Sequence, residues 1–464
     1  MFIYTYRLHL LAFMEGKNIS LENLNPTVDN TFVTWSRQKN WNPIKIIDAN
    51  GCYFKDVSGK SYLDMSSQLM CSNLGHGNKR IINAIKKHAE ELAYIAPSFD
   101  TDIREEVSSK LKTILPDNLT KYFFGTSGTE ANEAAIKIAR MYMAKEHKNK
   151  IISFYNSYHG STLGSIELTG DFRRRLVDSY HNAPGFIRLA PPFCHHCPFK
   201  LEYPECGMAC LNNIEYTIKN EDSVAAIVIE PVTGTNGIVI PPIDFLPRLR
   251  EITEENNVLL IADEVMTGFC RTGEWFAVNH WKVKPDMITS AKGITGAYAP
   301  LSLTAVSKKI SDFFEDNIFA HGHTYEAHPL MLAAASAAID EYKERNILEN
   351  VRKQSKLLSM RLQELKEKHI SVGDVRCIGL FSAVELSTDR DRKIPFTTAE
   401  DKMEGKPQIV SKIAKYAMDH GVYISTWISH FIIAPPLIIN EDELNAGMDV
   451  IDKALGISDM EVKK

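Results

Sequence analysis

Lys292 stands in a run of Ala, Gly, Ser and Thr within "PDMITSAKGITGAYAPLS" (285–302), just after a short apolar segment. A lysine in such surroundings has two readings. Either its stem lies on the protein surface and its head reaches water, or it is an amine made nucleophilic by desolvation, flanked by small residues so that a flat cofactor can approach and form a Schiff base. Other reactive side chains occupy comparable places. Asp263 closes the apolar run "VLLIADEV", Glu230 closes "VAAIVIEPV", Tyr158 and His159 follow "KIISFY" within a turn, and the small turn Ser127, Gly128 and Thr129 follows "KYFFG". A carboxylate such as Asp263 can hold a protonated ring nitrogen and keep a heteroaromatic ring electron-poor. Tyr158 can stack on one face of that ring, while Val265, two residues beyond Asp263 and on the same side of the strand, presses on the other.

The segment "FFGTSGTEANEAAIKIAR" reads as strand, small-residue turn and helix. Its helix start offers backbone N–H groups at the positive end of the dipole beside the hydroxyls of Ser127 and Thr129 and the bare backbone of Gly128, which makes a phosphate cradle. The same residues also read as a capping box from Ser127 to Glu130, and the two uses coexist. Phosphate, pyridinium nitrogen, stacked ring and amine-forming lysine together describe pyridoxal 5′-phosphate (PLP).

The elements that must position these residues follow from the apolar pattern. Between about residues 80 and 340, short wholly apolar runs alternate with longer helical patterns, as strands buried on both faces do when helices cross over between them. The expected fold class is α/β, with a mostly parallel sheet sandwiched by helices. In open α/β sheets ligands bind outside the carboxyl ends of the strands, and five separate segments aim chemistry at that edge. That agreement argues against the surface reading of Lys292. Ahead of this block, "GCYFKDVSGKSYLDMS" reads as a hairpin turning at Ser58 and Gly59. After it come helices over 329–345 and 348–368, then strands in "VGDVRCIGLFSAVEL" and "GVYISTW" of a smaller α+β domain. The expected organisation is an N-terminal segment and hairpin (1–80) packing with the small domain, a large cofactor-binding domain (81–340) and a C-terminal small domain (341–464).

Composition narrows the partners. The 464 residues are 44% hydrophobic and 24% charged, ordinary for a globular protein, and the formal net charge of −5 is spread along the chain, so neither nucleic acid nor a disordered acidic tail is indicated. The basic run Arg173, Arg174, Arg175 reads as a solvated loop. No apolar stretch approaches the ~20 residues that span a bilayer. The opening "MFIYTYRLHLLAF" is interrupted by Arg7 and His9 and followed by no small-residue cleavage site, so it reads as an over-extended start or a docked terminal segment, and the protein as cytoplasmic. Four of the eight cysteines, Cys194, Cys197, Cys206 and Cys210, cluster in "CHHCPFKLEYPECGMAC" beside His195 and His196. Their C-x2-C and C-x3-C spacing is not a common zinc pattern, and the readings are inert loop thiols, a structural metal clip or a disulfide; no metal is expected in the reaction.

"GTSGTEANEAAIKIAR", "YHGSTLGS", "IEPVTGTNG", "IADEVMTGFCRTG", "TSAKGITGAYAPLS" and "HGHTYEAHPL" resemble, in order and from about residue 30 to 455, the signature segments of the class III, or ω-amino acid, aminotransferases of PLP fold type I. The resemblance implies PLP as cofactor, Lys292 as its Schiff-base lysine and Asp263 as the partner of the pyridine nitrogen. Ser127, Gly128 and Thr129 would bind phosphate, Tyr158 would stack on the ring beside His159, and Glu230 would lie near cofactor and substrate. Thr324 matches the position that reaches the phosphate held by the neighbouring subunit. The family's homodimers, in some members assembled into tetramers, imply an active site at a subunit interface. The implied reaction moves an amino group from an amine donor to a keto acid acceptor in a ping-pong cycle.

Relatives acting on ornithine, acetylornithine or 4-aminobutyrate usually carry arginine at the place of Ser161, and many carry one at the place of Ile432, before "APPL". Without those bidentate clamps a copied dicarboxylate assignment does not carry over. Leu69, Met70, Ser161 and Trp427 are the expected pocket residues, with Gln68, His430, Trp35 and Trp41 as further candidates. The pattern is closest to the branch acting on taurine, β-alanine and other ω-amines, with pyruvate or 2-oxoglutarate as acceptor. Similar motifs on this fold serve lyases, racemases and aminomutases. A non-catalytic PLP-carrying regulator and a metal-dependent enzyme built on the Cys/His cluster are the readings from other classes.

Overall fold

A computed structural model of the chain describes residues 31–177 and 183–462; the expectation for residues 1–13 lies outside them. The chain divides into two units, 1–45 and 46–464. In the first, the described residues make one short turn, Gln38–Asn40, and both Trp35 and Trp41 are exposed.

The second unit begins with three antiparallel strands, β1 (Ile46–Asn50), β2 (Tyr53–Asp56) and β3 (Ser61–Asp64), the last two forming the expected hairpin. The central sheet holds β4 (Leu119–Gly125), β5 (Lys150–Phe154), β6 (Phe186–Leu189), β7 (Val224–Ile229), β8 (Leu259–Asp263), β9 (Met287–Ser290) and β10 (Ser302–Ser307), in the order β4-β10-β9-β8-β7-β5-β6. All residues of β7, β8 and β9 are buried, the mark of strands covered on both faces. Helix Gly128–Met143 lies close on the sheet through Ala131, Ala134, Ala135 and Ala139, whose small side chains permit the approach.

The sheet has two strands more than the five read from the sequence. β10 runs antiparallel between β4 and β9, because the connection from β9 is too short for a parallel crossover. β6 is a four-residue edge strand, half-buried throughout and carrying Arg188, so it lacks the apolar signature of its neighbours.

Helices Pro329–Glu344 and Ile347–Lys368 follow, the first opening on a proline at a position where its missing N–H is no loss. The remaining strands are β11 (Val372–Ile378), β12 (Phe381–Asp389), β13 (Ile394–Pro395), β14 (Val422–Tyr423), β15 (Ser425–Trp427) and β16 (His430–Ile433). β14 joins β3 in parallel, so the first sheet reads β1-β2-β3-β14, while β11, β12, β16 and β15 form the third sheet, with β13 on β12. Among the described residues no helix is long and apolar enough to cross a membrane.

Arg271 knits these parts together. Fully buried, it donates to the carbonyls of Leu380 (2.9 Å) and Pro435 (2.7 Å), to Ser67 Oγ (3.0 Å) and to Asn73 Oδ1 (2.8 Å). Burial lowers its pKa to about 10, but the acceptors keep the cation in place. Arg271→Met would strand those acceptors in the interior, at about 1–3 kcal/mol each where no water enters. The expected result is a loss of about 3 kcal/mol or more in urea unfolding; an unchanged midpoint would show that the network does not carry the junction.

Candidate active site

β4 runs parallel to β9 across the intervening β10, so the carboxyl ends of β4, β5, β7, β8 and β9 share one edge of the sheet. Asp263, the last residue of β8, is 3% exposed. Its Oδ1 accepts from the backbone N–H of Val265 (3.0 Å), and its Oδ2 accepts from Asn132 Nδ2 (2.8 Å) and lies 2.7 Å from His159 Nδ1. Asn132 also donates to the carbonyl of His159 (2.8 Å) and accepts from Thr289 Oγ1 (2.8 Å). One polar knot thus ties together helix Gly128–Met143, the turn after β5, and strands β8 and β9. Burial opposes the charge of His159, but the hydrogen bond and charge of Asp263 outweigh it and raise its pKa.

Lys292 follows β9 in the turn Lys292–Ile294 with φ of 47°, the left-handed region that lysine seldom occupies. The side chain is half-buried, and its ammonium has no hydrogen bond or ion pair among the described residues. Desolvation lowers its pKa and Arg173 adds to the shift, against the pull of Cys71, Asp263 and Glu230. Glu230 accepts from the N–H groups of Tyr158 (3.0 Å) and Gly234 (2.7 Å), and burial pushes its pKa up to about 7.

At the start of helix Gly128–Met143, Ser127 Oγ accepts from Glu130 N (3.3 Å). The Glu130 carboxylate turns back to Thr126, taking its N–H and hydroxyl (each 2.6 Å), rather than closing the box on Ser127 itself. The N–H groups of Gly128 and Thr129 have no partner among the described residues. A Cβ on Gly128 would stand 2.8 Å from Val265 Cγ1, so glycine is required where Val265 closes against the cradle. Thr324 is exposed and its carbonyl accepts from Tyr94 Oη (2.9 Å).

Leu69 is 67% exposed, whereas Met70 joins the core beside Ile152 and Phe154. Ser67, Gln68 and Met70 all have positive φ, and Gln68 bonds Asp64 (2.9 Å). Ser161 is exposed next to the Tyr158 phenol. Trp427 Nε1 donates to Asn236 Oδ1 (2.9 Å), His430 Nε2 lies 3.0 Å from the carbonyl of Thr235, and Ile432 is buried in β16.

The expectation of solvation for the basic run holds for Arg175, which is exposed, and fails at Arg173. Arg173 is 5% exposed, held by Asp171 (2.9 Å at Nε) in the short helix Phe172–Arg175, and its guanidinium lies 3.6 Å from the Tyr158 ring centroid and 4.6 Å from that of Trp427. The four clustered cysteines carry free thiols and line one small pocket with Tyr203 and Pro242. Among the described residues the side chains spaced to share a metal ion are instead His195, His196 and Glu385, and Glu385 already accepts from Arg376 (2.7 Å) and pairs with His196.

Asn132, Thr289 and Glu264 were not singled out from the sequence. A buried Asn in an otherwise Ala-rich helical face was the available signal for the first. Glu264, fully buried, accepts from the N–H groups of Ala277 (2.9 Å) and Val278 (2.8 Å) and from Thr267 Oγ1.

The family described as Aminotransferase class-III matches residues 34–455. An adenosylmethionine-8-amino-7-oxononanoate aminotransferase of Geobacter sulfurreducens is 33% identical over 442 residues, covering 91% of this chain and 94% of that protein. A leucine/methionine racemase of Thermococcus litoralis is 33% identical, covering 89% and 90%. The solved taurine:2-oxoglutarate aminotransferase of Bifidobacterium kashiwanohense, in complex with PLP and glutamate, superposes with a TM-score of 0.87 at 35% identity, covering 94% of this chain and 97% of that one.

Burial raises the pKa of Glu264 from 4.5 to about 7, so folding takes up a proton between those values. The stabilisation from that uptake is complete below about pH 4.5 and is lost as pH rises through about 7. Glu264→Gln removes the titration. The unfolding free energy of the variant relative to the original chain should rise by about 2.5 kcal/mol between pH 5 and pH 8 in urea titrations. A difference that stays flat with pH would contradict the assignment.

Proposed function

The chain belongs to the class III aminotransferases, and from that premise we propose that it moves an amino group from an ω-amino acid or amine of the taurine, β-alanine or 4-aminobutyrate type to pyruvate or 2-oxoglutarate in a ping-pong cycle. The observation that carries the reading is the juxtaposition of an unpaired, half-buried lysine with a buried, triply hydrogen-bonded carboxylate at one sheet edge.

The enzyme uses PLP, and its residues fit that group. The N–H groups of Gly128 and Thr129 are open at a helix start, where a phosphate is favoured. The close approach of Val265 to Gly128 leaves no room for a side chain there. Arg173 covers one face of Tyr158, leaving the other for a ring. When bound, PLP supplies a carbonyl that condenses with amines and a ring that withdraws electrons from the adjoining carbon.

Lys292 Nζ, its pKa lowered by burial, would take the proton from the donor carbon that bears the amine and give it to the cofactor carbon that carries the nitrogen after the transfer. Asp263 holds the positive ring nitrogen, and His159 and Asn132 hold Asp263 in place. Ser127, Gly128 and Thr129 bind the phosphate, Tyr158 and Val265 enclose the ring, and Glu230 orients the Tyr158 turn through its N–H.

Thr324 reaches the phosphate bound by a second copy in a homodimer; the exposure of Thr324 and of the neighbouring aromatic rings of Tyr94 and Tyr325 supports that assembly. The division at 1–80, 81–340 and 341–464 belongs to the same reading, supported by β14 completing the sheet of β1–β3. Racemisation is the second reading, favoured by the likeness to the leucine/methionine racemase.

The test mixes holoenzyme with taurine, β-alanine, 4-aminobutyrate, alanine or an arylamine, without acceptor, and follows the cofactor absorbance. Conversion to the amine form of the cofactor by an ω-amino acid is expected, and Lys292→Ala should lose both the lysine-bound absorbance and turnover, by about 10⁴-fold or more, while remaining folded. No conversion by any donor, with L-leucine racemised instead, would move the assignment to the second reading.

A further inference from the structure

Trp427 is a meeting point for charge. The indole packs against Phe172 at 5.2 Å between ring centroids, the Arg173 guanidinium lies 4.6 Å from the indole, and Lys402 Nζ lies at the same distance, 4.6 Å. These residues come from the short helix Phe172–Arg175, the short helix Ala399–Glu404 and strand β15, so distant parts of the chain bring two cations to one ring. A cation gains from an aromatic face, but two cations at one ring repel each other unless anions compensate.

One anion does so. Asp171 pairs with Arg173 and accepts from Asn236 Nδ2 (3.2 Å). Lys402 has no carboxylate among the described residues. Each acidic side chain near it on its own helix is engaged elsewhere: Glu400 with Arg175 (2.7 Å), Asp401 with Lys406 (2.6 Å) and Glu404 with Lys406 (3.0 Å). A half-buried ammonium usually gains a partner, and this one faces an indole that also touches Arg173, whose own guanidinium lies on the Tyr158 ring. Burial and the Arg173 charge together lower the pKa of Lys402, and the Arg173 charge is also felt at Lys292. Through Arg173, which lies on both the Tyr158 and the Trp427 rings, Lys402 stands one ring away from the residue expected to stack on the cofactor.

We propose that Lys402, backed by Arg173 on the shared Trp427 ring, forms the subsite for the distal sulfonate or carboxylate of the donor. The subsite rests on the ω-amino acid reading above and names its recognition chemistry: an anionic group carried beyond the reacting carbon. Lys402 donates to the anion as a point charge, and Arg173, paired with Asp171, holds the Trp427 ring that Lys402 faces.

The experiment measures kcat/KM of the holoenzyme for taurine and β-alanine against n-propylamine, which ends in a methyl group, in the original chain, Lys402→Met and Lys402→Arg. In Lys402→Met the ratio of acidic donor to n-propylamine should fall about 10- to 100-fold through KM, the loss of a hydrogen bond to a charged group. Lys402→Arg should restore most of it. An unchanged ratio would overturn the subsite. Ethane-1-sulfonate, titrated into holoenzyme and followed by cofactor absorbance, separates the subsite from the reaction. Saturation that weakens at least tenfold in Lys402→Met upholds the subsite even if no amine is converted, in which case the proposed reaction fails alone. Equal binding by both proteins overturns the subsite even if transamination proceeds.

Discussion

A carboxylate that is 3% exposed must be surrounded by donors, and at Asp263 that requirement organises the centre of the molecule. Three donors from three elements meet it: the N–H of Val265 from its own strand end, Asn132 from the helix beneath, and His159 from the turn after β5. Thr289 on β9 donates to the side-chain oxygen of Asn132, which turns its amide nitrogen toward Asp263, and β9 is the strand that delivers Lys292. The strand register and the chemistry of the edge are thereby one arrangement. Moving any of the three donors would leave the buried carboxylate one hydrogen bond short.

A second layer supports the pocket wall. The segment from Thr233 to Val239 closes on itself through a bridge between those residues, and it is gripped from several sides. Glu230 takes the N–H of Gly234, His430 meets the carbonyl of Thr235, Trp427 donates to Asn236, and Arg376 donates to the carbonyl of Gly237 (2.7 Å). Arg376 is itself held by Asp374 and Glu385 (each 2.7 Å). The Cys/His region touches this layer through His196 on Glu385.

The strand-end residues were legible in the sequence because a polar side chain that ends a wholly apolar run stands out in local pattern alone. Asp263, Glu230 and Lys292 are of that kind, and so was the mostly parallel sheet. What local pattern concealed was whatever depends on a distant partner. Arg173, in a run of three arginines, reads as solvated because nothing nearby in the chain announces Tyr158 stacked on it or Trp427 beside it. Lys402 was passed over for the same reason, lying among acidic neighbours that look like its partners and are not. β10 escaped because its antiparallel course is decided by a short connection rather than by composition.

The central claim is that Lys292, set beside Asp263, is the residue that carries the cofactor. The most direct measurement is to reduce the holoenzyme with borohydride, digest it and locate the cofactor mass by mass spectrometry. The account predicts a single reduced cofactor–lysine linkage on the peptide containing Lys292. A linkage at any other lysine, or a purified protein that takes up no PLP, would contradict it.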